Sequence, residues 1–237
     1  MEQNKFIVVT GGTKGIGLAV IEAFMVEGFD VATCSRNLND LELLKERFEL
    51  KFKGQSIHIL EADLSKKESC ILFGKFVSGK TDKIDILVNN TGYFLPGQIH
   101  NEEVGNLELM MNTNLYSAYH MSRYFIPMMK SRMEGHIFNI CSTASIVPYV
   151  NGGSYCISKF ALYGMTKVLR EEMKEFNVRV TSILPGATFT NSWEGSDLPE
   201  TRFMKSSDVG QAVLGCWKLS KHTVVEELLL RPQLGDI

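Results

Sequence analysis

The stretch "TGGTKGIGLAV" (residues 10 to 20) decides the fold, because it reads as the end of a strand, a glycine-rich turn and the start of a helix. Gly11, Gly15 and Gly17 stand in a G-x-x-x-G-x-G spacing. Glycine permits the unusual backbone angles of such a turn and lets the main chain approach a bound group closely. The free N–H groups of the first helical turn then face any anion held there. The stretch therefore predicts a cradle for the pyrophosphate of a dinucleotide.

Short β-branched runs alternate with longer segments of helical periodicity along the chain. Strands are predicted at residues 5–11, 29–36, 56–63, 83–90, 135–142, 178–184 and 226–232, and the first two helices at 14–27 and 40–53. The strands are apolar throughout, as is typical of parallel strands covered by helices on both faces. This order predicts an α/β, Rossmann-type doubly wound fold with a seven-stranded parallel sheet. No linker or internal repeat interrupts the pattern, so we expect residues 1–237 to form a single domain.

The composition argues against several classes of function. Twenty-five basic against 27 acidic side chains give a formal net charge of -2, which leaves no basic face for nucleic acid. No apolar run approaches the roughly 20 residues of a membrane-spanning helix. Five scattered cysteines are typical of reduced thiols in a cytoplasmic protein, and the five dispersed histidines show no metal-ligand spacing. We expect no nucleic-acid partner, no membrane partner and no metal site.

The end of the second predicted strand, "CSRN" (34 to 37), indicates which dinucleotide binds. NAD-binding versions carry an Asp or Glu there, which accepts a hydrogen bond from the ribose 2′-hydroxyl. Ser35 and Arg36 stand in that place here, and Arg forms charge-assisted hydrogen bonds to a 2′-phosphate. Lys14 adds a second positive charge, while Asp63 is placed to accept from the adenine amino group. The predicted cofactor is NADP(H) rather than NAD(H).

The stretch "YCISKFALYGMTK" (155 to 167) places Tyr155 and Lys159 on one helical face, because residues four apart are neighbours there. An ammonium close to a phenol lowers the phenol pKa, so the pair predicts an acid–base catalyst. Ser142 lies thirteen residues before Tyr155 at the end of the fifth predicted strand, where ligands of open α/β sheets bind. Its hydroxyl can donate to a substrate oxygen or cap a turn.

Together these motifs resemble the short-chain dehydrogenase/reductase family over essentially the whole chain. The matching stretches follow the family's order and spacing: "TGGTKGIG" at 10–17, "ADL" at 62–64, "NNTG" at 89–92, "MNTNLYS" at 111–117, Ser142, "YCISK" at 155–159 and "LPGATFT" at 184–190. The family usually has alanine where this chain has Thr91, a difference that we expect to be tolerated.

The resemblance implies a catalytic tetrad of Asn114, Ser142, Tyr155 and Lys159. Tyr155 would protonate the substrate during carbonyl reduction, and Ser142 would orient and polarise the carbonyl. Lys159 would lower the tyrosine pKa and bind the nicotinamide ribose, and Asn114 would hold a water that continues a proton relay. The hydride would pass directly from the nicotinamide to the carbonyl carbon.

The same resemblance, with the glycine turn and "CSRN", gives a set of cofactor-binding residues. They are Gly11, Thr13, Lys14, Gly15, Ile16, Gly17, Ser35, Arg36, Asp63, Leu64, Asn90, Gly92, Tyr155, Lys159, Pro185, Gly186, Thr188 and Thr190. Pro185, Gly186 and Thr190 would lie beside the nicotinamide, with Thr188 as the alternative to Thr190. The resemblance also implies a homodimer or homotetramer that pairs through the helices of Asn114 and Tyr155.

The expected function is NADPH-dependent reduction of a ketone or aldehyde to an alcohol. Two alternatives are an NAD(P)-dependent alcohol dehydrogenase that acts oxidatively and a non-catalytic NADP-binding regulatory protein. The patternless segment 185–206 predicts a substrate-binding loop. Six aromatic residues either form an apolar substrate pocket or pack as loop anchors: Tyr93, Phe94, Tyr149, Phe189, Trp193 and Phe203.

Overall fold

A seven-stranded parallel sheet forms the centre of the computed structural model, which describes residues 4–190 and 197–237. The strands are β1 (Phe6–Thr10), β2 (Asp30–Ser35), β3 (Ile57–Glu61), β4 (Ile86–Asn89), β5 (Gly135–Ile140), β6 (Val178–Pro185) and β7 (Glu227–Leu230). Their order is β3-β2-β1-β4-β5-β6-β7, and every pair is parallel. The predicted sheet is confirmed, with strand ends shifted by up to three residues.

Helices cover both faces of the sheet. They are α1 (Gly15–Val26), α2 (Leu38–Lys51), α3 (Lys67–Ser78), α4 (Asn106–Met110), α5 (Ser117–Arg132), α6 (Gly153–Met173) and α7 (Ser206–Lys218), with a π-helical turn over Met111–Tyr116 between α4 and α5. Helices α1, α2 and α7 pack on one face, and α3, α5 and α6 on the other. Alternate residues of β1, such as Ile7 and Val8, are buried in opposite layers, which is why the strands read as unbroken apolar runs.

The order of the strands opens a crevice at one edge of the sheet. β1 lies between β2 and β4, so the chain leaves the carboxyl ends of β1 and β4 toward opposite sides. Ligands of doubly wound folds bind at this switch point. The glycine turn follows β1 and "NNTG" follows β4, so the fold brings both stretches to the crevice.

A buried polar network lies beneath the crevice and joins the sheet to two helices. Asn89 of β4 donates to Asn139 of β5 at 2.8 Å and to the Ser122 hydroxyl of α5 at 3.1 Å. Asn139 in turn donates to the Thr166 hydroxyl of α6 at 2.8 Å. Because hydrogen bonds in a low-dielectric interior are strong and directional, the network fixes the position of α6 relative to the sheet.

His136, at the start of β5, makes folding sensitive to mild acid. The ring is fully buried, 2.8 Å from the Thr181 hydroxyl, and burial lowers its pKa well below the usual value. Below about pH 6.5 the unfolded chain binds a proton that the folded chain rejects, so stability should fall by up to about 1.4 kcal/mol per pH unit.

Urea unfolding at pH 7.5 and pH 5.5 measures this dependence. His136→Gln should make the free energy of unfolding depend less on pH. Some dependence should remain, because His58 and His120 also have lowered pKa values. His222→Gln, which changes an exposed histidine, should keep the wild-type slope. If the free energy of unfolding changed equally with pH in both variants, groups other than His136 would be responsible for the acid sensitivity.

Candidate active site

A cavity of about 720 Å³ lies at the carboxyl ends of the central strands. The residues predicted from the sequence that line it are Gly11, Thr13, Lys14, Gly15, Ile16, Ser35, Arg36, Asp63, Leu64, Asn90, Gly92, Ser142, Tyr155, Lys159, Pro185, Gly186, Thr188 and Thr190. Gly17 and Asn114 are not among the lining residues. The fold therefore gathers residues from most of the chain length into one long site.

The glycine turn shapes the first end of the cavity. Gly11 and Gly15 have φ values of +68° and +57°, which residues with a side chain rarely adopt. A Cβ on Gly17 would lie 2.4 Å from the Gly11 carbonyl oxygen, so Gly17 serves the packing of α1 against the turn. Asn90 braces the turn from β4, since its amide donates to the carbonyls of Thr10 and Gly11 at 2.9 Å each. This cradle fits a pyrophosphate at the helix N-terminus.

Two positive side chains stand beside the cradle. The exposed Arg36 guanidinium lies over the Tyr93 ring, 5.9 Å from its centroid. Lys14 forms an ion pair with Asp40 of α2, with 3.0 Å between Nζ and Oδ2. The sequence did not indicate this pairing, because Asp40 belongs to the next helix and to no recognised motif.

The opposite end of the cavity brings Ser142, Tyr155 and Lys159 together. The Ser142 hydroxyl lies close enough to the Tyr155 phenol for hydrogen bonding to affect the phenol pKa. Ser142 also caps the short 3-10 turn Thr143–Ser145, where its hydroxyl accepts from the Ala144 N–H at 3.1 Å. The Lys159 ammonium is buried, donates to the Ile140 carbonyl at 2.9 Å and lies 5.8 Å from the Tyr155 ring centroid. Both predicted uses of Ser142, donor and cap, are therefore compatible with its position.

Asn114 lies behind this cluster in the π-helical turn, with no exposed surface. Its Oδ1 accepts from the Tyr93 N–H at 2.6 Å, and its Nδ2 donates to the Tyr93 carbonyl at 3.0 Å and the Ser158 hydroxyl at 2.8 Å. A Cβ on Gly92 would lie 3.6 Å from both Asn114 Oδ1 and Lys159 Nζ. Asn114 thus anchors the segment after β4 to the helix of Tyr155 and Lys159, a contact that sequence reasoning missed.

Burial sets the pKa values of the two titratable groups. Loss of hydration raises the pKa of Tyr155 to about 12, although the hydrogen bond from Ser142 lowers it in part. Burial lowers the pKa of Lys159 to about 8. The pKa of Tyr155 is therefore raised, not lowered as the spacing of Tyr155 and Lys159 predicts, because burial is the largest influence on the phenol.

Aromatic and apolar side chains also line the cavity. Tyr93, Phe94 and Tyr149, three of the predicted aromatic candidates, line it together with Val147. Phe203 is buried and packs against Phe189 at a centroid distance of 5.7 Å, so this pair anchors its loop instead. Trp193 lies outside the described residues. Asp236 and Ile237 also line the cavity, and no motif in the sequence signalled them.

The loop after β6 is held down at its base. Thr188 and Met204 form a parallel bridge, and the Phe189 N–H donates to the Met204 carbonyl at 2.8 Å. Within residues 4–190 and 197–237, no group of three His, Cys, Asp or Glu side chains could hold a metal ion. No helix in the same ranges is long and apolar enough to cross a membrane.

A model of the family described as short chain dehydrogenase matches residues 5–200. The chain belongs to this family. This short-chain dehydrogenase is 30% identical over 239 residues to a sepiapterin reductase of Chlorobaculum tepidum, an alignment that covers 98% of this chain and 97% of the relative. Membership makes it an oxidoreductase.

Two solved structures show the same fold over nearly the full length of the short-chain dehydrogenase. An alcohol dehydrogenase from the archaeon Thermococcus sibiricus, complexed with 5-hydroxy-NADP, has a TM-score of 0.89 and 26% identity, with 98% of this chain and 97% of that chain covered. A metagenomic short-chain oxidoreductase in complex with NADP has a TM-score of 0.84 and 26% identity, with 97% of each chain covered.

Proposed function

We propose that this short-chain dehydrogenase reduces a ketone or aldehyde to an alcohol with NADPH, with Tyr155 as the proton donor. The observation that carries the proposal is the convergence of Ser142, Tyr155 and Lys159 at one end of a cavity whose other end is the glycine cradle. The NADP-type ligands in the two similar structures support the choice of cofactor. When bound, the cofactor supplies the hydride.

The residues around the cavity fit NADP(H) along its length. Gly11, Gly15 and the N-terminus of α1 would hold the pyrophosphate. Lys14, Ser35 and Arg36 would hold the 2′-phosphate, and Lys159 would hold the nicotinamide ribose. The other lining residues complete the groove: Thr13 and Ile16 at the turn, Asp63 and Leu64 near the adenine, Asn90 and Gly92 midway, and Pro185, Gly186, Thr188 and Thr190 beside the nicotinamide.

The raised pKa of Tyr155 suits a proton donor. A phenol with a pKa of about 12 is protonated at neutral pH, so its proton would be available to the carbonyl oxygen of a bound substrate. The Ser142 hydroxyl would donate to the same oxygen and polarise the carbonyl. The Lys159 ammonium, with a pKa of about 8, remains mostly charged at neutral pH and would stabilise the phenolate that forms.

The test is NADPH consumption by the purified protein with a panel of ketones and aldehydes, followed by identification of the alcohol product. Substrate-dependent consumption of NADPH supports the proposal. Tight binding of NADPH without turnover of any compound would favour a non-catalytic binding protein. Faster oxidation of alcohols by NAD would favour the oxidative alcohol dehydrogenase.

We also propose that residues 1–237 act as one NADP-binding domain that assembles into a homodimer or homotetramer. The support is a set of exposed apolar side chains on the π-helical turn, α5 and α6: Tyr116, Tyr119, Ile157, Phe160 and Val168. Light scattering measures the assembly. The five cysteines are buried and unpaired, which supports work in the cytoplasm.

Asp40→Asn should strengthen NADPH binding severalfold and leave NADH binding unchanged. In the wild type, the Asp40 carboxylate competes with the 2′-phosphate for the Lys14 ammonium, at a distance of 3.0 Å. The pair lies at the surface, with Lys14 exposed and Asp40 partly exposed, and is worth about 0.2–1 kcal/mol, which limits the gain to about fivefold. Isothermal titration of both cofactors measures it. Equal gains for NADPH and NADH would show that Asp40 does not act through the 2′-phosphate.

A further inference from the structure

The segment between β4 and α4 is fastened to the beginning of α6. Gly97 and Gly152 form an isolated parallel bridge, and the Gly97 N–H donates to the Asn151 carbonyl at 2.9 Å. The Gln98 side chain donates to the Asn151 side-chain oxygen, also at 2.9 Å. The start of the helix that carries Tyr155 and Lys159 is therefore packed against residues about 50 positions earlier in the chain.

Glu102 makes the most direct of these contacts. Its Oε2 accepts from the Ser154 backbone N–H at 3.4 Å, and its Oε1 accepts from the Ser154 hydroxyl. Ser154 is the second residue of α6, is 1% exposed and directly precedes Tyr155. Gly152, at the N-cap position, has no side chain to satisfy the free N–H groups of the first turn. The Glu102 carboxylate supplies that cap from a distant part of the chain.

The contact between the two segments is close. A Cβ on Gly153 would lie 2.7 Å from the Gly97 carbonyl oxygen and 3.0 Å from Glu102 Oε2. The same segment carries Phe94, whose ring packs edge-on against the Tyr155 ring at a centroid distance of 4.9 Å and an angle of 77°. Glu102 is thus linked to Tyr155 in two ways, through the first turn of α6 and through the segment that holds Phe94.

We propose that Glu102 is a positioning residue, which caps α6 and thereby fixes the Tyr155 phenol at the carbonyl-binding end of the cavity. The inference rests on the proposed function. The residues assigned to the pyrophosphate and the adenosine part of NADPH follow β1, β2 and β3 and lie outside α6, whereas Lys159 of α6 is assigned to the nicotinamide ribose. Loss of the cap therefore lowers turnover by a larger factor than it lowers cofactor affinity.

The kinetic test compares Glu102→Ala, Glu102→Gln and the matched control Glu103→Ala, which removes an exposed carboxylate one position away. Glu102→Ala is expected to lower kcat by about tenfold, because small displacements of reacting groups are costly, while the Kd for NADPH changes by a much smaller factor. Glu102→Gln keeps an oxygen that can accept from Ser154, so it should restore most of the turnover. Glu103→Ala should match the wild type.

A second measurement needs no substrate. Hydrogen exchange of the backbone amides at 152–158 should be faster in Glu102→Ala than in the wild type, Glu102→Gln or Glu103→Ala. Ser154→Ala removes the hydroxyl donor instead, and combining it with Glu102→Ala should add no further loss of protection. If the wild type reduces no carbonyl compound, the proposed function fails, and the exchange data still decide whether Glu102 caps the helix.

Four results would overturn the inference. The first is a Glu102→Ala protein whose backbone amides at 152–158 exchange as slowly as in the wild type. The second is an equal loss of turnover in Glu102→Ala and Glu103→Ala. The third is a Glu102→Gln protein that behaves like Glu102→Ala, which would show that hydrogen bonding to Ser154 is not the cause. The fourth is a fall in NADPH affinity as large as the fall in kcat, which would assign Glu102 a general structural role.

Discussion

Replacing Tyr155 with phenylalanine is expected to lower kcat for carbonyl reduction by about 10³-fold, the usual contribution of a positioned general acid. The substitution removes only the phenol oxygen, so the edge-on packing of the ring against Phe94 is kept. The neighbouring groups are poor replacements: an aliphatic hydroxyl such as that of Ser142 is a weaker acid than a phenol, and the Lys159 ammonium is held against the Ile140 carbonyl, 5.8 Å from the Tyr155 ring centroid. The measurement is steady-state kinetics on the best carbonyl substrate.

Tyr163→Phe is the matched control, because it makes the same change two helical turns further along α6 and outside the cavity. It should retain wild-type kcat, and both variants should keep the wild-type Kd for NADPH. Residual turnover above one tenth of the wild type in Tyr155→Phe would remove the tyrosine from the role of proton donor. A large loss of NADPH affinity would instead show that the phenol is needed to hold the cofactor.

Arg36→Ala is expected to weaken NADPH binding by about 10- to 100-fold, since a hydrogen bond to a charged group contributes about 1.5–3 kcal/mol. NADH lacks the 2′-phosphate, so its Kd should stay near the wild-type value, and the preference between the cofactors should largely disappear. The guanidinium lies on the Tyr93 ring and lines the cavity, so it is oriented before the phosphate arrives. Fluorescence titration with each cofactor measures both constants.

Arg47→Ala provides the comparison, because Arg47 is another exposed arginine, which pairs with Glu22 at 3.3 Å and does not line the cavity. Its affinities for NADPH and NADH should both be unchanged. If Arg36→Ala weakened the two cofactors to the same extent, the argument from "CSRN" would fail. If it changed neither affinity, Lys14 alone would be sufficient for the phosphate.

The sheet and most of the cavity could be predicted because their signals are local. Apolar runs, glycine spacing and the alternation of strands with helices predict a doubly wound sheet, and in that sheet the turn after β1 lies beside the stretch after β4. The strand ends were predicted less accurately. Strand β5 ends at Ile140 and not at Ser142, because the chain turns there into the 3-10 segment that Ser142 caps. Ser142 therefore lies just after β5 and not within it, but it still lies beside Tyr155.

Contacts between distant segments could not be predicted. The pairing of Lys14 with Asp40 and the bonds from Asn114 to Tyr93 depend on how side chains meet after folding. The raised pKa of Tyr155 could not be predicted for a similar reason, since spacing places a lysine near the phenol but does not show how far packing shields the phenol from water. How deeply a side chain is buried depends on the whole fold and cannot be predicted from a four-residue motif.

The asparagine network beneath the crevice limits how the sequence can change over evolution. Asn89 and Asn139 are register partners on adjacent strands, and Asn139 also binds Thr166. Replacing one asparagine with an apolar residue leaves a buried polar partner without its hydrogen bond, which lowers the free energy of unfolding by about 1–3 kcal/mol. Replacing both with apolar residues of matching shape can be nearly neutral. Asn89 and Asn139 should therefore covary among related sequences. A design that builds a new binding pocket on this fold should keep both asparagines or replace both.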